Sequence, residues 1–238
     1  MQFQIHITMI KRILFTVLLA AAAATSMHAA GGAKPVVSIL GDSYSTFDGY
    51  IPEGNEPWYF AREREELTDV RDVRQTWWWQ LVAEGGYILG VNDSYSGATI
   101  SYTGYNGDDY RARSFNTRLA RIAPPDVLLI FGATNDSWCG APLGEYVYDN
   151  LTLGHMYEFR PALGRLLSEA QARMPGTRIV YIINSELKPE ITESICTECR
   201  HFGVEYVLLH DIDKRAGHPT VKGMKQIKDQ VLKALGGK

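Results

Sequence analysis

Pro35-Val36-Val37-Ser38-Ile39-Leu40-Gly41-Asp42-Ser43-Tyr44-Ser45 joins two kinds of sequence. An apolar run from Pro35 to Leu40 meets a short segment of small polar residues at Gly41. The run reads as a strand buried on both faces of a sheet. The polar segment reads as the tight loop after it, where Gly41 permits the turn. Working outward, similar apolar runs recur at 87–91, 127–131 and 179–183, with a shorter one at 204–209. Helix-like stretches lie between them at 75–84, 111–122, 156–173, 189–201 and 221–235. Strands alternating with helices predict an α/β fold of three layers, α/β/α, around a five-stranded parallel sheet. The stretch 47–74 is long and irregular and is expected to form a lid or rim.

Polar loops rich in Ser, Asp and Gly follow the strands at 41–49, 92–98, 132–140 and 210–219. Ligands of open α/β sheets bind at the carboxyl ends of the strands, so these four loops are expected to converge. Ser43 stands at the end of the first strand, where a helical turn would aim backbone N–H groups at a developing oxyanion. A plain turn capped by Asp42 and Ser43 would look the same in isolation. Gly97, in Asn92-Asp93-Ser94-Tyr95-Ser96-Gly97, lets its N–H approach a ligand closely. Asn135, in Phe131-Gly132-Ala133-Thr134-Asn135-Asp136, offers a neutral amide donor suited to an oxyanion hole. His218, in His218-Pro219-Thr220, sits in a Gly-flanked loop as a candidate base.

The order Ser43, Gly97, Asn135, His218 is far more specific than any one part. It resembles the SGNH hydrolase superfamily, the GDSL esterases and lipases, over residues 36–235. The matching blocks are Gly41-Asp42-Ser43-Tyr44-Ser45, Gly97, Gly132-Ala133-Thr134-Asn135-Asp136 and His218. The segments Thr46-Phe47-Asp48-Gly49-Tyr50-Ile51-Pro52-Glu53-Gly54 and Gln75-Thr76-Trp77-Trp78 look like a bacterial secreted branch of it. The resemblance implies a flavodoxin-like sheet and a serine esterase needing no cofactor and no metal. Ser43 would be the nucleophile and His218 the base, with an oxyanion hole from Ser43 N–H, Gly97 N–H and the Asn135 amide. The implied partner is a small acyl ester, foremost an acetylated saccharide. The family places its acid three residues before the histidine, and that position is Arg215 here. Asp213 is the preferred substitute, with Asp211 or a backbone carbonyl as alternatives. Two readings from other classes remain: a carbohydrate-binding or scaffolding protein of this fold with a weak or inactive site, and a glycosidase using paired carboxylates such as Asp136 and Asp213, which needs them about 5–9.5 Å apart. A lipase or thioesterase of the same fold fits less well, because no long apolar lid is evident.

The chain has 238 residues, 45% hydrophobic and 21% charged, which excludes disordered and fibrous classes. Lys11 and Arg12 precede an apolar run and then small residues up to Ala30, the pattern of an export signal too short to span a membrane. Residues 1–29 are therefore expected to be removed, with 30–238 forming one hydrolase domain of a secreted or periplasmic protein. Without them, 24 cations fall to 22 against 27 anions, a charge of −5, which favours neither nucleic acid nor an anionic membrane. Oligomeric state leaves no mark in the sequence. Trp77-Trp78-Trp79 cannot share one helix face, so at least one is expected at the surface or rim. Cys196 and Cys199 fall within a helix and read as core thiols or a local disulfide rather than a redox motif.

Overall fold

The computed structural model describes residues 33–62 and 66–237. The expected export segment, 1–29, lies outside them. Strands β1 (Val36–Gly41), β2 (Ile88–Ser94), β3 (Val127–Gly132), β4 (Arg178–Ile183) and β5 (Glu205–Leu208) form one parallel sheet. Their order is β2-β1-β3-β4-β5. The five expected strands are all present, within three residues of the expected ends.

The strand sequences are continuous apolar runs because both faces are covered. In β3, Leu128 and Ile130 point into one core while Val127, Leu129 and Phe131 point into the other. β4 repeats the alternation, with Ile179, Tyr181 and Ile183 on the first side and Val180 and Ile182 on the second. Helices α2 (Phe115–Arg118), α4 (Phe159–Arg173) and α5 (Pro189–Phe202) fill the first face; α1 (Trp77–Gly85) and α6 (Val221–Leu235) cover the second. A sixth helix, α3 (Thr134–Cys139), stands at the end of β3. The molecule has the three layers expected.

Local signals account for the helix ends. Thr220 caps α6 by accepting from Gly223 N at 3.1 Å, and Gly236, at φ +88°, terminates it. Two expected helices are shorter than the sequence pattern. Residues 111–122 break into a 3-10 turn, the single turn α2 and another 3-10 turn, because Ser114 adopts extended backbone and caps afresh at Thr117 N. The 156–173 helix begins only at Phe159, since Glu158 is extended. One element went unforeseen: the two-residue strands β6 (Lys214–Arg215) and β7 (His218–Pro219) form an antiparallel hairpin. Trp77 and Trp78 are buried and Trp79 is half-buried at the edge of Tyr50, which accommodates the triple tryptophan. Cys196 and Cys199 are free thiols, and Cys199 packs in the core, where burial pushes its thiol up to about 12. Among the described residues no helix is long and apolar enough to cross a membrane.

Candidate active site

β1 has β2 on one side and β3 on the other, so the chain winds in opposite directions from it. In open α/β sheets that reversal opens a crevice at the strand ends. Gly41 closes β1 there. A Cβ on it would fall 2.4 Å from Ser94 Oγ and 2.8 Å from Ser45 Cβ, so only glycine lets the three segments meet. The next residues form a 3-10 turn, Ser43–Ser45, capped by the Asp42 carboxylate accepting from Tyr44 N at 3.0 Å. Ser43 thus stands first in a turn whose hydrogen bonds use the N–H groups of Tyr44, Ser45 and Thr46.

His218 arrives from β7. Its Nε2 lies 2.9 Å from Ser43 Oγ, and both residues are buried. The β6–β7 hairpin makes this reach possible. Ala216 (φ +47°) and Gly217 (φ +76°) both take left-handed backbone, the two-residue turn whose twist matches a hairpin. Tyrosines hold the hairpin from either side: Tyr44 OH donates to Gly217 O at 2.5 Å, and Tyr59 OH donates to Pro219 O at 2.9 Å. Trp58 lies flat on the imidazole, with ring centroids 3.6 Å apart and planes 9° from parallel.

A backbone carbonyl, one of the alternatives left open on sequence grounds, faces the second imidazole nitrogen. His218 Nδ1 lies 3.1 Å from the carbonyl oxygen of Ala216, within the turn itself. The Asp213 carboxylate turns away to accept from Thr220 Oγ1, and its other oxygen lies 3.8 Å from Lys222 Nζ. Asp213 therefore supports the start of α6. Asp211 is exposed and pairs with its neighbour His210 at 2.9 Å. Arg215 pairs with His218 across the hairpin, so the position three residues back does lie beside the histidine, with a cation in it.

Asn135 occupies the first turn of α3. Ala133, at φ +76°, turns the chain sharply into that helix, a conformation that costs a non-glycine residue about 1–2 kcal/mol. The Asn135 Nδ2 donates to Ala98 O at 2.9 Å and its Oδ1 accepts from Tyr105 OH at 2.9 Å. An amide nitrogen carries two hydrogens, so one donor remains. Gly97 sits one residue before Ala98 at φ +79°, a backbone conformation that an L side chain would strain. Among the described residues, neither Ser43 N–H nor Gly97 N–H donates to a protein acceptor.

Buried charge ties the loops together. The Asp136 carboxylate accepts from Ile100 N at 2.8 Å, Ser101 N at 3.0 Å and Ser101 Oγ at 2.8 Å, locking the Gly97 loop to the Asn135 helix. Burial still pushes its carboxyl up to about 6. This full engagement removes Asp136 from a paired-carboxylate role, and Asp213 is committed elsewhere. Burial likewise pushes Asp42 up to about 7, against the opposing pull of the Tyr44 N–H, the Thr134 hydroxyl and Arg118. Arg118 is fully buried; it donates to Gly41 O at 3.0 Å and pairs with Asp93 Oδ1 at 3.2 Å, joining the ends of β1 and β2. Burial lowers its guanidinium to about 10. The described residues contain no group of three or more His, Cys, Asp or Glu able to hold a metal.

Sequence reasoning named Ser43, Gly97, Asn135 and His218, and all four lie at this one sheet edge. It missed Trp58, Tyr59, Tyr44 and Tyr105. Only the aromatic density of Pro57-Trp58-Tyr59-Phe60, inside the segment read as a lid or rim, could have pointed there.

Residues 35–235 match the family described as GDSL-like Lipase/Acylhydrolase. Among solved structures, the chain is similar to a protein described as a GDSL-like lipase from Bacteroides ovatus ATCC 8483. The two are 48% identical with a TM-score of 0.84, over 86% of this chain and 99% of that one. A counterpart from Bacteroides uniformis ATCC 8492 is also 48% identical, with a TM-score of 0.84 over 85% of this chain and 96% of that one. An acetyl xylan esterase from the rumen bacterium Butyrivibrio proteoclasticus shares the fold alone, at 15% identity and a TM-score of 0.55, over 87% of this chain and 64% of that one. No curated protein matches the chain.

Proposed function

The chain belongs to the GDSL-like lipase/acylhydrolase family, and from that premise we propose that it is an exported serine esterase removing small acyl groups, acetyl foremost, from carbohydrate. The observation that carries the chemistry is the 2.9 Å approach of Ser43 Oγ to His218 Nε2. In the tautomer that donates Nδ1–H to the Ala216 carbonyl, Nε2 presents its lone pair to the serine hydroxyl. Ser43 Oγ attacks the ester carbonyl carbon while His218 takes its proton. The oxyanion is held by the N–H groups of Ser43 and Gly97 and the remaining Asn135 N–H. His218 then returns the proton to the leaving alkoxide, and the alcohol departs from an acyl-enzyme. Water, activated by the same imidazole, releases the acid and frees Ser43.

The saccharide ester is supported by two things: the aromatic surroundings of the Ser43–His218 pair, and the shared fold of an esterase named for acetyl xylan. Export is supported by the pattern of residues 11–30. The test is direct. A fluorophosphonate should label Ser43, and Ser43→Ala should abolish both labelling and hydrolysis of short aryl esters while the fold persists. Acetate release from acetylated polysaccharide should exceed release of long acyl chains from glycerides. Undiminished turnover in Ser43→Ala would refute the mechanism, and a preference for long chains would refute the substrate.

A further inference from the structure

Trp138 is a large apolar side chain in an unusual place. It lies in the last turn of α3, three residues after Asn135, and 45% of it is exposed. Its ring stands edge-to-face with the His218 imidazole at a centroid distance of 5.7 Å. The same indole lies against the hairpin turn: a Cβ on Gly217 would approach its Cη2 and Cζ2 to 3.1 and 3.3 Å. Trp138 thus combines an exposed apolar face with a ring contact to the Ser43–His218 pair. An indole rotamer fixed along one edge, with substantial surface left in solvent, can receive a flat apolar face at little entropic cost.

The chemistry says which part of a substrate arrives there. His218 must hand its proton to the leaving oxygen, so the alcohol portion of the ester lies on the imidazole side of the reacting carbon. The carbonyl oxygen points the other way, toward Asn135 and Gly97. Whatever flanks His218 at the surface therefore flanks the alcohol. Resting on the esterase reading, we infer that Trp138 is a specificity-determining residue of the alcohol subsite, its indole face stacking on the C–H face of the sugar ring that carries the ester. Trp58 and Trp138 then have separate duties: the first lies flat on the base, and the second receives the leaving group.

The experiment compares acetylated xylo-oligosaccharides with ethyl acetate, whose alcohol has no ring to stack. In Trp138→Ala, the ratio of the two kcat/KM values should fall roughly tenfold, chiefly through KM for the saccharide, and Trp138→Phe should restore part of it. If both substrates lose equally, Trp138 only braces the hairpin, and the inference is overturned. A second arm is independent of turnover: calorimetric binding of unacetylated xylotetraose to Ser43→Ala and to Ser43→Ala/Trp138→Ala. Weaker binding in the double variant supports the subsite even if the intact protein hydrolyses no acetate ester, an outcome that would sink only the esterase reading. Equal binding in both overturns the subsite.

Discussion

Asn135 divides one side chain between two tasks. Its Oδ1 and one N–H are bound to Tyr105 OH and Ala98 O, which fixes the plane of the amide. The remaining N–H is then preorganised for charge that appears only in the transition state. Asn135→Asp keeps the shape, removes the donors and adds a negative charge beside the oxyanion. It should lower kcat by on the order of 10²–10³ with much less effect on KM, as steady-state kinetics on an aryl acetate would show. Comparable kcat values would move the oxyanion elsewhere. Asp213 argues the opposite case. Its carboxylate is occupied by Thr220 Oγ1, and Asn at that position can still accept this bond. Asp213→Asn should therefore keep turnover within a few-fold, where loss of a true orienting acid costs about 10⁴. A collapse in kcat would restore Asp213 as the acid.

Among the elements, the β6–β7 hairpin carries the base and also carries strain. Ala216 holds φ +47° with a Cβ, in a turn where glycine or asparagine is the usual occupant. Ala216→Gly relieves that penalty, at the expense of a more flexible unfolded chain, and should stabilise by up to about 1 kcal/mol. Ala216→Val places a β-branched residue where it fits worst. It should lower the thermal midpoint and also kcat, since the carbonyl facing His218 Nδ1 belongs to the residue being distorted. A valine variant with unchanged midpoint and turnover would mean that the turn relaxes freely. This hairpin also shows where sequence reading stops. The α6 boundaries were legible because Thr220, an amphipathic run and Gly236 all mark them locally. The reversal at Ala216-Gly217 was legible from its glycine, but the two-residue strands beside it and the Ala216 carbonyl aimed at His218 were not, because so short a pairing has no periodicity to read. The helix expected at 111–122 breaks at Ser114, and Arg118 beyond the break is held by Asp93 and Gly41, contacts made across 25 and 77 residues that no local pattern records. Trp58 meets His218 across 160 positions, and no local periodicity records such a contact.

On the scale of the whole molecule, burial of acidic groups sets a pH dependence of stability. Asp42 and Asp136 sit under the site and are pushed up to about 7 and about 6, while burial raises Glu198 on α5 to about 7. Each is raised above its unfolded value, so the folded protein retains a proton that the unfolded chain has released. The contribution to stability is fully present below the ordinary carboxylate range, near pH 4, and is lost as pH rises through 6 to 7. Carboxylates shifted the other way, such as Glu205 paired with Arg178 and Asp229 paired with Lys225 and Lys228, lose their contribution only as pH falls below that range. Those groups are exposed, and solvent screens them to little effect. The three buried acids therefore govern the interval between about pH 5 and 8, each by at most about 1.4 kcal/mol per pH unit. Urea midpoints should decline from pH 5 to pH 8, and Asp42→Asn, whose Oδ1 can still accept from Tyr44 N–H, should flatten that decline. A midpoint that climbs across the interval would mean that Arg118 and the surrounding N–H donors keep Asp42 and Asp136 ionised despite their burial. The packing that holds the Ser43 turn and the Asn135 helix would then be bound together by full charges rather than by shared protons, and Asp42→Asn should destabilise the protein most at neutral pH.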